Sequence, residues 1–305
     1  MSIRKALDNR RSHPQAGAAN ANAPGTNQHG ADPAPVCATC NGLRHVRAPA
    51  QDHARVMRCP SCFTTCTRCG GTGAIFTPNG FGSWDSSPCD ACSPTDRKIQ
   101  LFNDAGIPRR YEEATFRSFE VGHDASLSRA HTWLRRWAAE MRVGDRGILL
   151  SGSVGSGKTF LMAATLRNLT LLRSIPTRFV EFTHLLSEIR SGYDEGRNEA
   201  DIIEHLVDIP VLCIDELGKG LKTEWQIAIL DELISKRYNR SVTTLFTTNF
   251  PIDGRQVEGR SRGADDFRVA TLEERIGARM FSRLYEMTDL MTITAPDYRR
   301  RSRPG

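Results

Sequence analysis

No stretch of about 18 consecutive apolar residues occurs anywhere in the 305-residue chain, so the sequence offers no membrane-spanning helix. The basic N-terminus "MSIRKALDNRRSHPQ" lacks an apolar segment behind it. A secretory signal is therefore not expected there, and the cytoplasm is the expected location. Glycine and proline follow no period, which excludes collagen-like structure, and 39% hydrophobic residues exclude a wholly disordered chain. There is no internal repeat beyond one: C-x-x-C pairs. Outside residues 37–92 the chain has a single cysteine, Cys213.

The length suits two domains and at least one sizeable core. The net charge of +6 is uneven. Residues 1–110 carry 13 Lys/Arg and 7 Asp/Glu, residues 111–305 carry 28 of each, and "DYRRRSRPG" forms a basic end. The excess permits nucleic-acid binding and is equally consistent with ordinary solubilising charge. Residues 1–35 read as a disordered tail, 36–97 as a cysteine-rich domain, 98–146 as a connector with a leading helix, 147–296 as the main domain and 297–305 as a basic tail. In "SLSRAHTWLRRWAAEMR" (126–142), Trp133, Leu134, Trp137 and Met141 fall on one side of a helix, a stripe best explained by core packing. From 147 onward, strand-like "GILLSG", "TRFVEF", "PVLCIDE" and "TTLFTTN" alternate with helical patterns. That order predicts an α/β domain, a parallel sheet with helices on both faces.

"ILLSGSVGSGKTFL" (148–161) is a strand, a glycine-rich loop and a helix start. Gly152, Gly157, Lys158 and Thr159 satisfy G-x-x-x-x-G-K-[ST] in that context. The loop Gly152, Ser153, Val154, Gly155, Ser156, Gly157, with Lys158, Thr159 and Phe160, is expected to cradle the phosphates of ATP on backbone N–H groups and a helix N-terminus. Lys158 is expected to reach the β- and γ-phosphates and Thr159 to ligate Mg²⁺. "VLCIDE" supplies Asp215 as a second magnesium ligand and Glu216 as general base for water. Cys213 reads as a small buried hydrophobe. Asn249, ending "TTLFTTN", is placed to bring an amide near the γ-phosphate. In "LEERIGARMFSRL" (272–284), Arg275, Arg279 and Arg283 recur every four residues, so one helix face is expected to carry them. Arg279 first, then Arg275, is the expected arginine finger for a neighbouring subunit. The alternative is a solvated face paired with Glu273 and Glu274.

The pairs Cys37/Cys40, Cys59/Cys62, Cys66/Cys69 and Cys89/Cys92 fit C-x₂-C-x₁₅₋₂₀-C-x₂-C twice. That spacing gives four-thiolate sites suited to two structural Zn²⁺ ions. Sequential pairs sharing a metal, or an interleaved wiring, both satisfy it. An iron–sulfur cluster or a redox dithiol is the alternative chemistry. A metal would supply what this segment's small core lacks.

The ordered set "GIPRRYEEATFRSF" (106–119), "GSVGSGKT", "VLCIDELG", "TEWQIAILDELISKRYN" (223–239, ending on Arg237 and Tyr238), "TTNF" and "ERIGARMFSRLYE" resembles the DnaC/DnaI-type helicase loaders over roughly residues 106–300. It also resembles the related IstB-type transposition ATPases. The cysteine turns locally resemble those of DnaJ-type chaperones. The resemblance implies an AAA+ P-loop NTPase that binds ATP with Mg²⁺ and hydrolyses it slowly. It implies self-association, so that one subunit's arginine completes the next subunit's site, binding to single-stranded DNA, and loading of a replicative DNA helicase. A transposition helper that binds duplex DNA and recruits a transposase is the alternative. It further implies that the zinc module grips the partner, with DNA contact through its mildly basic surface as the alternative. Residues 182–209 match the clade's extra helical element facing DNA, here acidic at Asp194, Glu195, Glu199 and Asp201. Arg255, Arg260 and Arg262 offer another DNA contact or form a solvated loop.

Overall fold

The computed structural model describes residues 37–62, 66–79, 83–194, 198–252 and 270–298. The N-terminal tail, Glu195, the arginines at 255, 260 and 262, and residues 299–305 lie outside that set. The described residues, from Cys37 onward, group as one compact unit. Among the described residues no helix is long and apolar enough to cross a membrane.

Two short antiparallel ribbons come first, β1 (His45–Arg47) with β2 (Val56–Arg58), and β3 (Ala74–Pro78) with β4 (Trp84–Pro88). Helices α1 (Ser93–Asp104) and α2 (Ala125–Glu140) follow. The main domain then runs β5 (Gly147–Gly152), α3 (Lys158–Leu171), β6 (Thr177–Glu181), α4 (Phe182–Asp194), α5 (Glu199–Asp208), β7 (Val211–Asp215), α6 (Glu224–Asn239), β8 (Thr243–Thr248), α7 (Leu272–Ile276), α8 (Ala278–Met287) and β9 (Thr288–Ile293). The five strands β5 to β9 form one parallel sheet in the order β6-β7-β8-β5-β9. All four strands expected from the sequence are present, and β9 adds a fifth.

Alternation along the strands builds two cores. Ile148, Leu150, Cys213 and Leu245 face one side, with Phe102 of α1, Leu134 of α2 and Leu166 of α3. Leu149, Leu212, Ile214 and Phe246 face the other, with α4, α5, α6, α7 and α8. Each fully buried side chain of this size stabilises the fold by about 1.5–3 kcal/mol. Local signals set the helix starts. The Asp124 carboxylate accepts from Leu127 N–H, and Thr223 with Gln226 and Thr271 with Glu274 form capping boxes. On α2 the buried stripe is Leu127, Ala130, Leu134, Ala138 and Met141. Trp133 and Trp137 lie at its edge, half-buried and stacked with ring centroids 6.4 Å apart.

The single arginine-bearing helix expected at 272–284 is two helices. Gly277, at φ +85°, breaks it between α7 and α8, a conformation that a side chain would resist. Arg275 therefore sits on a different helix from Arg279 and Arg283, and the three share no common face.

The cysteine-rich region is continuous with this core. Cys92 caps α1, Pro94 stands in its first turn, and Arg58 of β2 pairs with Asp96. Asn103 accepts from Val56 N–H at 2.8 Å and donates to Val56 O at 3.1 Å. Ala54 N–H donates to Ile107 O at 2.7 Å, and Arg109 N–H to Asp52 O at 2.9 Å.

Arg237, near the end of α6, is fully buried. Nη1 donates to the carbonyls of Leu206 (2.7 Å), Val207 (3.1 Å) and Ile209 (2.9 Å), Nη2 to Thr243 O (2.6 Å) and Nε to Thr244 Oγ1 (2.9 Å). Burial lowers its pKa to about 9, so it is still a cation at neutral pH. It ties the end of α5 and the start of β8 to α6 through carbonyl dipoles. Lysine has neither the planar fork nor enough donors for five acceptors. Arg237→Lys is expected to destabilise the chain by about 3 kcal/mol or more, read as the midpoint shift in urea unfolding.

Candidate nucleotide site and metal centres

Parallel order places the C-terminal ends of β5, β7 and β8 side by side, and the predicted nucleotide residues converge there. The loop after β5 runs into α3, whose N-cap is Gly157. Lys158, only 6% exposed, donates from Nζ to the carbonyls of Gly152 and Ser153 and to Asn249 Oδ1, each at 2.8 Å. Thr159 Oγ1 donates to Asp215 Oδ1 and Oδ2 at 3.1 and 3.2 Å. Ser156 is buried, Val154 at the loop tip is exposed, and Phe160 packs among Phe119 and Tyr111.

Asp215 is buried, and burial raises its pKa, opposed by hydroxyl donation from Thr247 and Thr159. Among the described residues its carboxylate makes no ion-pair contact and accepts only from hydroxyls, so a hard divalent ion beside Thr159 and Asp215 fits the donor set. Glu216 follows at φ +58°, left-handed for a non-glycine residue. Its N–H donates to Thr247 Oγ1 at 3.0 Å, Leu217 N–H donates to Thr247 O at 2.8 Å, and its carboxylate pairs with Lys219. This kink turns Glu216 out of the strand direction while Asp215 stays inside. Thr247 and Lys219 escaped the sequence reading. Thr247 lies two residues before Asn249, hence on the same face of a period-2 strand, and that spacing was a usable signal. Nothing in the sequence singles out Lys219.

The three arginines differ. Arg275 Nη2 donates to Gly218 O (3.2 Å) and Leu221 O (3.0 Å), with its guanidinium 5.2 Å from the Phe250 ring centroid. Arg283 pairs with Asp231 at 3.1 Å and donates to Ser235. Arg279 is exposed and makes no hydrogen bond or ion pair among the described residues.

The cysteines gather in sequential pairs, Cys37, Cys40, Cys59 and Cys62 in one group and Cys66, Cys69, Cys89 and Cys92 in the other. Within each group all sulfurs lie within 4.8 Å of one another. A tetrahedral ion with zinc–sulfur bonds of about 2.3 Å sets its ligands about 3.8 Å apart. The Cys37–Cys59, Cys40–Cys62, Cys66–Cys89 and Cys69–Cys92 sulfurs are 3.8, 3.3, 3.9 and 3.6 Å apart. Equivalent amides, Arg44 N–H and Gly73 N–H, donate to Cys40 and Cys69 Sγ at 3.3 Å. The Cys40 backbone amide draws the Cys37 thiol down to about 6, while hydrogen bonding to Cys37 sulfur pushes Cys62 up to about 12. A divalent ion would hold all four sulfurs of a group as thiolates and release their protons. The donor set and spacing fit zinc in both groups.

Two outcomes test these sites. Metal analysis of the purified chain should give two zinc per chain, and Cys92→Ser should lower this to about one and cut the thermal stability of the whole chain. Asp215→Asn should raise Tm at pH 7 by roughly 2–4 °C, the effect of about 1 kcal/mol in a chain of this size, while abolishing nucleotide hydrolysis. The sign follows from the raised folded pKa: the ionised carboxylate opposes folding at neutral pH, and protonation relieves it. The stability gain of Asp215→Asn should therefore shrink as pH falls into the acid range.

A model of the AFG1-like ATPase family matches residues 120–304. The replicative helicase loader DnaC of Escherichia coli K12 is 25% identical over 154 residues, 49% of this chain and 61% of that protein. The uncharacterized protein YqaM of Bacillus subtilis strain 168 is 24% identical over 193 residues, 59% of this chain and 61% of that protein. The match thus spans about three fifths of these relatives' length. A crystal structure of the DnaC helicase loader is 28% identical with a TM-score of 0.51, covering 61% of this chain and 99% of that one. These likenesses bear out the resemblance to helicase loaders and the AAA+ fold of parallel sheet and flanking helices. With well over half of its residues inside the matched region, the chain belongs to the AFG1-like ATPase family.

Proposed function

We propose that this chain hydrolyses ATP and uses it to load or remodel a replicative DNA helicase on single-stranded DNA. The observation that carries the ATPase reading is the convergence of Lys158, Thr159, Asp215, Glu216 and Asn249 at the C-terminal ends of β5, β7 and β8. The likeness to DnaC supports the helicase as partner. In this reading the loop amides and Lys158 bind the triphosphate, and Thr159 and Asp215 hold Mg²⁺, which neutralises phosphate charge when bound. Glu216 leaves Lys219 to take a proton from the attacking water. The water oxygen bonds to the γ-phosphorus, the bond to the β-phosphate oxygen breaks, and ADP and phosphate leave. Asn249 orients the γ-phosphate end. Arg279, exposed and with no hydrogen bond or ion pair among the described residues, suits insertion into a neighbouring subunit's site, whereas Arg275 and Arg283 are engaged within their own chain. Self-association is then part of the activity, and the zinc-binding region is the grip on the partner.

Lys158→Ala is expected to abolish ATP turnover, and Arg279→Ala to lower it by about 10³-fold. Adding an equal amount of Lys158→Ala chain, which still carries Arg279, should partly restore turnover to the Arg279→Ala chain. Glu216→Gln should trap the ATP-bound assembly. In a pull-down with ATP, that variant should retain a hexameric replicative helicase identified by mass spectrometry. A transposase without any helicase would instead establish the transposition-ATPase alternative.

A further inference from the structure

The two cysteine groups are built alike and used differently. In each, an amide four residues after the second cysteine donates to its sulfur, Arg44 N–H to Cys40 and Gly73 N–H to Cys69. In each, an antiparallel ribbon starts at the next residue and ends just before the third cysteine. The first ribbon is fastened down. Val56 is buried, Asn103 holds its backbone and Arg58 pairs with Asp96. The second ribbon is longer by two rungs, Thr77 opposite Asp85 and Pro78 opposite Trp84, and every residue of β4 is exposed.

Residues directly opposite share a face in an antiparallel pair, and alternate residues return to it. Phe76, Pro78 and Trp84 therefore stand on one face of the second ribbon, and Thr77 and Asp85 on the other. Phe76 is 56% and Trp84 66% exposed, and neither belongs to the core on either side of the sheet. The end of the ribbon is braced. Asn79 N–H donates to Ser83 O at 2.8 Å, Ser83 N–H to Asn79 Oδ1 at 3.0 Å, and Asn79 Nδ2 to Asp85 Oδ1 at 3.1 Å. A face held in this way has little freedom left to lose on contact. Aromatic side chains gathered on such a face, away from any core, are the mark of a contact surface.

Charge narrows the occupant. Residues 66–92 hold three charged side chains, Arg68, Asp85 and Asp90, and Arg68 pairs with Asp90 at 3.0 Å. The ribbon thus brings no unpaired cation to its aromatic face, and a phosphate backbone would find nothing there to neutralise it. The other arginines of the region, at 44, 47, 55 and 58, belong to the first group, where Arg47 pairs with Glu112 and Glu113 and Arg58 with Asp96. We infer that the face formed by Phe76, Pro78 and Trp84 is the docking surface of the cysteine-rich region, and that its occupant is an apolar patch edged by Lys or Arg on the replicative helicase. Trp84 is the anchor of the contact. Asp85, next to it in β4, supplies the counter-charge for the basic edge. This rests on the loader reading above and names the part of the region that makes the contact.

The test measures binding of the full-length chain, with ATP and magnesium, to the purified replicative helicase hexamer of the same cell by biolayer interferometry. Metal content and the urea midpoint show that each variant is intact. Trp84→Ala is expected to weaken binding about 30-fold or more and Phe76→Ala about tenfold, while Thr77→Ala, on the opposite face, binds as wild type. Raising salt from about 50 to about 200 mM should change the affinity less than about tenfold, against the loss of about 10³-fold or more expected of a contact made through several phosphates. Wild-type affinity in both Trp84→Ala and Phe76→Ala, or an equal loss in Thr77→Ala, would overturn the inference and leave the loader reading standing. A labelled oligothymidylate bound by wild type and lost by Trp84→Ala would make the face a nucleic-acid platform, and a dimer that Trp84→Ala splits would make a second copy its occupant. Either result overturns the inference. Wild-type chain that captures no helicase would overturn the loader reading and this inference together.

Discussion

The order of the parallel sheet is the constraint on which everything else rests. Because β5 lies between β8 and β9, and β8 between β5 and β7, three strand ends meet where the phosphate loop turns. Side chains 56 and 91 residues from the loop are thereby brought within hydrogen-bond reach of Thr159 and Lys158. A slip of one residue in β7 would turn Asp215 toward the opposite core. The register is held by near-continuous apolar strands buried on both faces, so the hydrophobic cores and the site's geometry have the same origin.

Arg237 and Asp215 are buried charges in this framework, and they do opposite things. Arg237 is surrounded by four carbonyls and a hydroxyl, which satisfy its donors and lock α5, α6 and β8 together. Asp215 receives only hydroxyl hydrogen bonds, and burial pushes its pKa up. The first is a solved electrostatic problem and serves the fold. The second is left open by the fold, and a bound cation would close it. Glu216, in a left-handed backbone conformation and paired with Lys219, adds a second site of stored strain at the same strand end.

The parts of this arrangement legible in the sequence are those with a short-range signature. The four central strands, the phosphate loop, Asp215 at a strand end and the C-x-x-C pairs all follow from local patterns, and the order of motifs pointed to helicase loaders. The metal wiring needed three dimensions, since spacing permits both sequential and interleaved pairs. The arginine series misled because a four-residue period continues across Gly277 in sequence and not in space. Strand β9, with its mixed burial, carries a weak hydropathy pattern, so it stayed invisible in the sequence. Arg237 read as a family marker. Its role depends on five acceptors supplied by distant segments, which no local pattern encodes.

The start of α1 at Cys92 has a consequence for how such chains can be recombined. Cys92, one of the second group of four cysteines, is the N-cap of a helix whose Phe102 belongs to the same core as α3, and Arg167 of α3 lies over the Phe102 ring at 5.1 Å. The cysteine-rich region is thus spliced into the ATPase core with no neutral joint between them. A chimaera cut just after Cys92 would part α1 from its cap and expose core, whereas a graft made ahead of Cys37 would carry both cysteine groups together with the core they adjoin.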